Sequence, residues 1–375
     1  MNIALRTGAV ASAAALTLLL AACSPSNEKT ATTSAAPAAV TTAAAPVAKP
    51  LSGSIAGAGS SAMASAMEAW IAGFTGTNPD LTIAYDPVGS GGGRTQFLAG
   101  ATQWAGSDSA LSVDEYKTAQ TPCGTDGAIN LPVYVSPIAV IFNVDGVSTL
   151  NLDAATISAI FDGKITKWND AAIASQNAGA KLPDLAITTV HRSDDSGTTK
   201  NFTDYLNKAS GGAWTYAAAG IWPNTLGEAG EGTTGLVQIV TSTKGAIGYA
   251  DDSKAGKLGK VSIKVGTAYA APSAKGAAIA LAAATVAGTN GADDLAYKID
   301  RTTTAAGAYP LFLLSYVIVC QHYNDATQAA NVTGFLSYVA SADGQTAAAS
   351  AAGSAPLPAD LSTKVESILA KIAKS

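Results

Sequence analysis

Three times in this chain an alternating apolar run gives way to a loop of small residues and then to a stretch with one apolar helical face. The fullest instance is His191-Arg192-Ser193-Asp194-Asp195-Ser196-Gly197-Thr198-Thr199-Lys200. Leu185, Ile187 and Val190 alternate before it as a strand does, and Phe202, Tyr205 and Leu206 share a helical face after it. The first N–H groups of a helix have no internal partners and carry the positive end of its dipole, so this junction suits an anion. Arg192 adds charge and a planar fork that grips two oxygens at once. Ser196, Thr198 and Thr199 add hydroxyls, and Gly197 lets backbone approach backbone. An ordinary capped helix after a turn is the alternative; arginine beside Ser-Gly-Thr favours the anion.

The globular part opens with a second such junction, Ser54-Ile55-Ala56-Gly57-Ala58-Gly59-Ser60-Ser61-Ala62. Met63, Met67, Trp70, Ile71 and Phe74 follow on one helical face. Gly57, Gly59 and Ala62 also match the G-x-G-x-x-A dinucleotide fingerprint, with Asp80 or Asp86 at a tolerable distance for a ribose. A lone fingerprint is weak, and Ser60 and Ser61 at the helix start fit a smaller anion. In the third junction Leu81, Ile83 and Tyr85 run into Gly89-Ser90-Gly91-Gly92-Gly93-Arg94, before Phe97 and Leu98. Next comes Asp108, within Trp104-Ala105-Gly106-Ser107-Asp108-Ser109. It reads either as the cap of a helix beginning near Val113 or as an acceptor for a proton on the ligand.

Residues 1–22 hold one basic residue, Arg6, and a short apolar core, the pattern of a secretory signal. Leu20-Ala21-Ala22-Cys23 has the form of a lipobox, with Cys23 acylated and serving as the membrane anchor. Residues 23–50 are nearly all Ala, Thr, Ser, Pro and Val, which cannot build a core and read as a disordered tether. The remaining ~325 residues suggest two domains or lobes. Once Arg6 leaves with the signal, 21 basic residues face 27 acidic ones, with no basic run. That balance argues against nucleic acid and against electrostatic membrane binding. Cys123 and Cys320 form a pair that, in an exported protein, reads as a disulfide rather than a metal site. Only His191 and His322 are present, so a zinc site or histidine-based triad lacks raw material, and no cofactor or metal is expected. The apolar run Gly276–Val286 is too short to span a bilayer and reads as a buried helix.

Taken together, Gly57-Ala58-Gly59-Ser60-Ser61, Gly89-Ser90-Gly91-Gly92, Gly106-Ser107-Asp108 and Arg192-Ser193-Asp194-Asp195-Ser196-Gly197-Thr198 stand in the order and spacing of the periplasmic phosphate-binding proteins of phosphate ABC transporters. Ile160-Phe161-Asp162-Gly163-Lys164-Ile165-Thr166-Lys167-Trp168-Asn169-Asp170 and Gly245-Ala246-Ile247-Gly248-Tyr249 resemble that family too. The resemblance covers roughly residues 51–249 and is looser beyond. It implies an α/β, two-lobe periplasmic-binding-protein fold of type II, with the ligand cleft between lobes joined by two crossing strands. Lobe I would comprise residues 51–136 and 311–375, and lobe II residues 137–310. It implies inorganic phosphate held by Ser61, the backbone of Ala62, Ser90, Asp108, Arg192 braced by Asp194, Ser196, Gly197 and Thr198. Crossings near Ser136 and Leu311 would bring Cys123 and Cys320 together. A monomer handing phosphate to ABC permease and ATPase subunits is the implied function. A binder of sulfate or molybdate, a secreted phosphatase-like enzyme and a structural surface lipoprotein are the alternatives. Sulfate has no proton to share with Asp108, and a phosphatase needs a metal or an activated nucleophile.

Overall fold

The computed structural model describes residues 50–373. The expected signal segment, Cys23 with its expected acylation, and all but the last residue of the expected tether lie outside the described residues. Among those described, thirteen strands run in chain order as β1 (Gly53–Gly59), β2 (Leu81–Asp86), β3 (Trp104–Ser107), β4 (Ala128–Phe142), β5 (Thr149–Leu152), β6 (Thr188–Arg192), β7 (Glu228–Gly230), β8 (Ala246–Asp251), β9 (Gly259–Val265), β10 (Ala268–Ala270), β11 (Thr285–Val286), β12 (Tyr297–Lys298) and β13 (Phe312–Cys320). Eleven of them form one mixed sheet whose main path is β2-β1-β3-β13-β4-β8-β6-β7, with β9 carrying β5 and β10 at the side. The parallel pairs β1–β2, β1–β3, β6–β8 and β6–β7 are the strands that feed the small-residue loops.

β4 ties the molecule together. Nine of its first ten residues pair antiparallel with β13, from Ala128 opposite Cys320 to Pro137 opposite Phe312, with Val133 skipped at a bulge. Its last five pair antiparallel with β8, from Ile138 opposite Asp251 to Phe142 opposite Ile247. At the changeover Ile138 N donates to Leu311 O at 3.0 Å. Every residue of β4 is buried, as its near-continuous apolar sequence requires of a strand covered on both faces. Tyr134 on one side of the changeover donates to Asp251 Oδ2 on the other at 3.0 Å. Burial pushes the Asp251 carboxyl up to about 6, against the opposing effect of hydrogen bonds from Ser253 and Tyr134.

Two apolar cores flank this spine. The first packs β1–β3, β13 and the near half of β4 against the helices Ala64–Thr75, Ala326–Ala340, Ala342–Ala352 and Ala359–Ile372. Trp70, Trp104, Phe335, Val365 and Ile368 are its large members. The second gathers Phe142, Phe161, Trp168, Phe202, Trp222 and Tyr249. Each such buried side chain contributes about 1.5–3 kcal/mol of apolar transfer free energy. Ala277, Ala280, Leu281, Leu295, Ile299 and Ala308 pack in the first core although they lie within 137–310. Cys123 and Cys320 are disulfide-bonded, Cα to Cα 5.0 Å, at the far end of the β4–β13 ladder from the changeover. The apolar run Gly276–Val286 is helical only within Ala274–Leu281; Thr285 and Val286 form an exposed strand of the β11–β12 pair. β-Branched residues at 285 and 286 favour that extended geometry.

Candidate anion-binding site

Three loops interlock at the ends of β1, β2 and β3. β1 ends at Gly59, whose carbonyl accepts from Gly89 N at 2.8 Å, while Ser60 N donates to Gly106 O at 2.9 Å. A side chain at position 59 would put Cβ 1.8 Å from Gly106 O, at a φ of +148°, so glycine is required here. Ser61 follows, its Oγ accepting from Thr233 N at 3.0 Å and lying 3.0 Å from Thr233 Oγ1. Ala62 is buried, and its N donates to Ser60 Oγ at 3.2 Å. Ser90 opens the helix Ser90–Leu98, and its Oγ accepts from Asp108 N at 3.1 Å.

Asp108, 3% exposed, stands where these loops meet the other lobe. Its Oδ2 accepts from Thr198 Oγ1 at 3.1 Å and its Oδ1 from Ser315 Oγ at 2.8 Å. It does not cap the next helix. Ser112 does so, its Oγ accepting from Glu115 N while Glu115 Oε2 accepts from Ser112 N, a reciprocal capping box.

From the second lobe, β6 delivers Arg192 to the cleft with 3% exposure. Its Nε and Nη2 donate to Asp194 at 2.7 and 2.5 Å, and its Nη1 reaches Thr233 Oγ1 at 3.4 Å. Burial works to raise the Asp194 carboxyl, but the bonds and charge of Arg192 and the N–H of Gly232 hold it below the usual carboxylate range. Ser196 caps the helix Gly197–Ala209, accepting from Thr199 N at 3.1 Å. Gly197 is pressed against the first lobe: a Cβ there would lie 2.5 Å from Ser90 Oγ and 2.7 Å from Asp108 Cβ. The lobes also meet through Gly91 N donating to Asp195 O at 2.9 Å and Arg94 Nη2 donating to Asp195 Oδ2 at 3.3 Å.

The geometry gathers Ser61, Ser90, Asp108, Arg192, Asp194, Gly197 and Thr198 through these contacts, with Ala62 and Ser196 next to them in the chain. It adds Thr233 and Ser315. Thr233 starts the helix Gly232–Ser242 after β7, and its Gly230-Glu231-Gly232-Thr233-Thr234-Gly235 context repeats the same strand, small-residue loop and helix device. No local signal marks Ser315, which lies mid-strand in an apolar run beside a bulge between Ser315 and Tyr316. Tyr249 OH accepts from Arg192 N at 3.3 Å and bonds Thr199 Oγ1 at 2.7 Å, fixing the base of the loop. His191 stacks on Trp222 at 5.0 Å between ring centroids, away from this set. Among the described residues no group of three or more His, Cys, Asp or Glu side chains is placed to hold a metal ion, and no helix is long and apolar enough to cross a membrane.

A model of the PBP superfamily domain matches residues 31–343. The chain is 39% identical over 287 residues to the phosphate-binding protein PstS 3 of Mycobacterium leprae, covering 74% of this chain and 76% of that one. It is 33% identical over 282 residues to the phosphate-binding protein PstS of Xylella fastidiosa, covering 73% and 74%. Among solved structures, a high-affinity periplasmic phosphate-binding protein with bound phosphate superposes with a TM-score of 0.68 at 24% identity, over 84% of this chain and 93% of the other. A phosphate-binding protein from Stenotrophomonas maltophilia gives 0.62 at 22% identity, over 84% and 94%.

Proposed function

The chain belongs to the PBP superfamily and, within it, to the PstS phosphate-binding proteins, and from that premise we propose that it binds inorganic phosphate outside the cell and delivers it to an ABC importer. The observation that supports the site most is Arg192: a buried guanidinium braced on one edge by Asp194, whose Nη1 reaches Thr233, itself bonded to Ser61. Around it Ser61, Ser90, Gly197, Thr198 and Thr233 supply hydroxyls and N–H groups from four helix starts, and Asp108 supplies the acceptor for the phosphate proton. The lobes are assigned as 51–136 with 311–375 and as 137–310, with the segment 274–308 moved to the first on the strength of its packing.

Binding without turnover is the reading the side chains favour. Ser61 and Thr233 bond to one another, Ser90 Oγ accepts from backbone, Thr198 and Ser315 both donate to the Asp108 carboxylate, and His191 is stacked on Trp222 with Nδ1 2.9 Å from Arg192 O. Among the described residues no cleft hydroxyl is bonded to a histidine or lysine, and Asp108, shared between two hydroxyls, is placed to take a ligand proton rather than to activate one nucleophile. Anchoring through an acylated Cys23, and action as a monomer, complete the proposal. Calorimetric titration with phosphate, sulfate and a phosphate monoester tests it. Tight one-to-one binding of phosphate alone is expected, and equal affinity for sulfate, or release of phosphate from the ester, would overturn it.

A further inference from the structure

Asp108 also borders a cavity of about 420 Å³ that Ser61 does not line. Asp108 and Ser109 form one wall, the helix Gly197–Ala209 a second through Lys200, Asn201, Asp204 and Lys208, and Lys298 and Arg301 line the remainder. Lys208 and Arg301 both hold Asp204, at 2.6 and 3.0 Å. Among the described residues Lys200 and Lys298 make no ion pair and no side-chain hydrogen bond. Lys298 is exposed, as unpaired lysines ordinarily are. Lys200 is not: among the described residues it is the one lysine that is neither exposed nor bonded through its amine. It lies three residues beyond Gly197, about one turn along the helix whose first residues face Asp108.

A partly buried ammonium without a partner is costly to keep charged. Burial, and then the nearby Arg94 charge, lower the Lys200 pKa; Glu115, Asp195 and Asp204 act the other way. The whole chain is acidic, with 27 acidic against 22 basic residues, so its general field repels an incoming anion. The cavity is a local exception, with four cationic side chains against two carboxylates.

We propose that this cavity is the antechamber through which the anion approaches the cleft, with Lys200 as its steering residue and Lys298 assisting from the rim. The inference rests on the phosphate reading of the adjoining site. A recess with an excess of one sign of charge concentrates counter-ions and raises the association rate, while contributing little once the ligand is seated elsewhere. The effect is screened by salt, since the Debye length falls to about 10 Å at 0.1 M and about 3 Å at 1 M.

Stopped-flow association with inorganic phosphate, at low and high ionic strength, tests this on the full chain. Lys200→Gln with Lys298→Gln should slow association about 3- to 10-fold at low salt, with dissociation changed less than about twofold and the difference collapsing in 1 M salt. Lys200→Arg should restore the rate, and Lys364→Gln, on an exposed helix face of the first lobe, should leave it unaltered. Melting curves keep the comparison to folded protein; should the double variant fail to fold, Lys200→Gln alone must show the slower association. Unchanged association, or a loss confined to dissociation, would overturn the antechamber while leaving the phosphate reading intact. A wild-type chain that binds no phosphate would overturn both.

Discussion

Gly197→Ala is the sharpest test of the claim that the ligand is held by lobe closure. In the structure the added methyl would sit 2.5 Å from Ser90 Oγ, 2.7 Å from Asp108 Cβ and 3.0 Å from Ser90 Cβ. Comfortable carbon contacts begin near ~3.5 Å, so the lobes must part by about 1 Å at this point. Such a shift stretches two bonds across the cleft, Thr198 Oγ1 to Asp108 Oδ2 at 3.1 Å and Gly91 N to Asp195 O at 2.9 Å, beyond useful length. Overpacking costs about 1–3 kcal/mol, and the two bonds, one of them to a carboxylate, add a further ~2 kcal/mol or more. A closed state destabilised by about 3–5 kcal/mol weakens phosphate binding about 100- to several-thousand-fold. Neither apolar core contains Gly197, so the melting temperature of the ligand-free protein should move by only a few degrees. Calorimetry should report the affinity loss, and solution X-ray scattering should show less compaction when phosphate is added. Gly76→Ala, whose methyl would find Ala72 O at an ordinary 3.4 Å, is the matched control. Wild-type affinity and full compaction in Gly197→Ala would refute the reasoning.

Three further outcomes are expected. Arg192→Ala should cost about 2–5 kcal/mol of phosphate affinity and Arg192→Lys should recover only part, because an ammonium cannot span two oxygens; titration of both variants checks this. Replacing Cys123 and Cys320 by Ser opens a link of sequence separation 197 and should lower stability by up to about 5 kcal/mol, read from urea midpoints, with phosphate affinity within about threefold of wild type. Asp251 titrates near 6 in the folded protein against 3.8 ordinarily, so the folded state keeps its proton where the unfolded chain has lost it. Stability from this group is present below pH 4 and falls as pH rises through 4–6, by a total of about 3 kcal/mol. Asp251→Asn should flatten that slope in urea midpoints measured from pH 4 to 8, and an unchanged slope would assign the titration elsewhere.

How much of this was legible before folding depended on whether the signal was local. The junctions carrying Ser61, Ser90 and Arg192 stand out because each packs a strand end, a small-residue loop and a helix start into a dozen residues. Thr233 carries the same signature at lower contrast, since its strand is only three residues long. Ser315 has none: a hydroxyl inside Phe312–Cys320 acquires a role only when β13 is laid beside β3 and β4, which is a long-range event. The interlobe contact between Arg94 and Asp195 is of the same kind, 101 residues apart in sequence. The cap reading of Asp108 falls only on seeing Ser112 take that role. The apolar stretch after Ala274 reads as one helix because alanine tolerates either state; Thr285 and Val286 decide for strand through tertiary pairing.

The sharing of β4 between two cores has a consequence for the order in which the molecule is made. The second core draws mostly on one continuous stretch, from Ile138 to Ala270, whereas the first needs residues near 55 and residues near 370 to find each other. Closing a loop of that length costs entropy before any contact repays it. The second lobe is therefore the self-sufficient one, able to assemble while the first still waits for β13 and the final helices. A chain stopped short of residue 311 would then carry a formed Arg192 loop with half of the cleft it is meant to close on, so loss of residues 311–375 should leave a nucleus that folds but cannot grip.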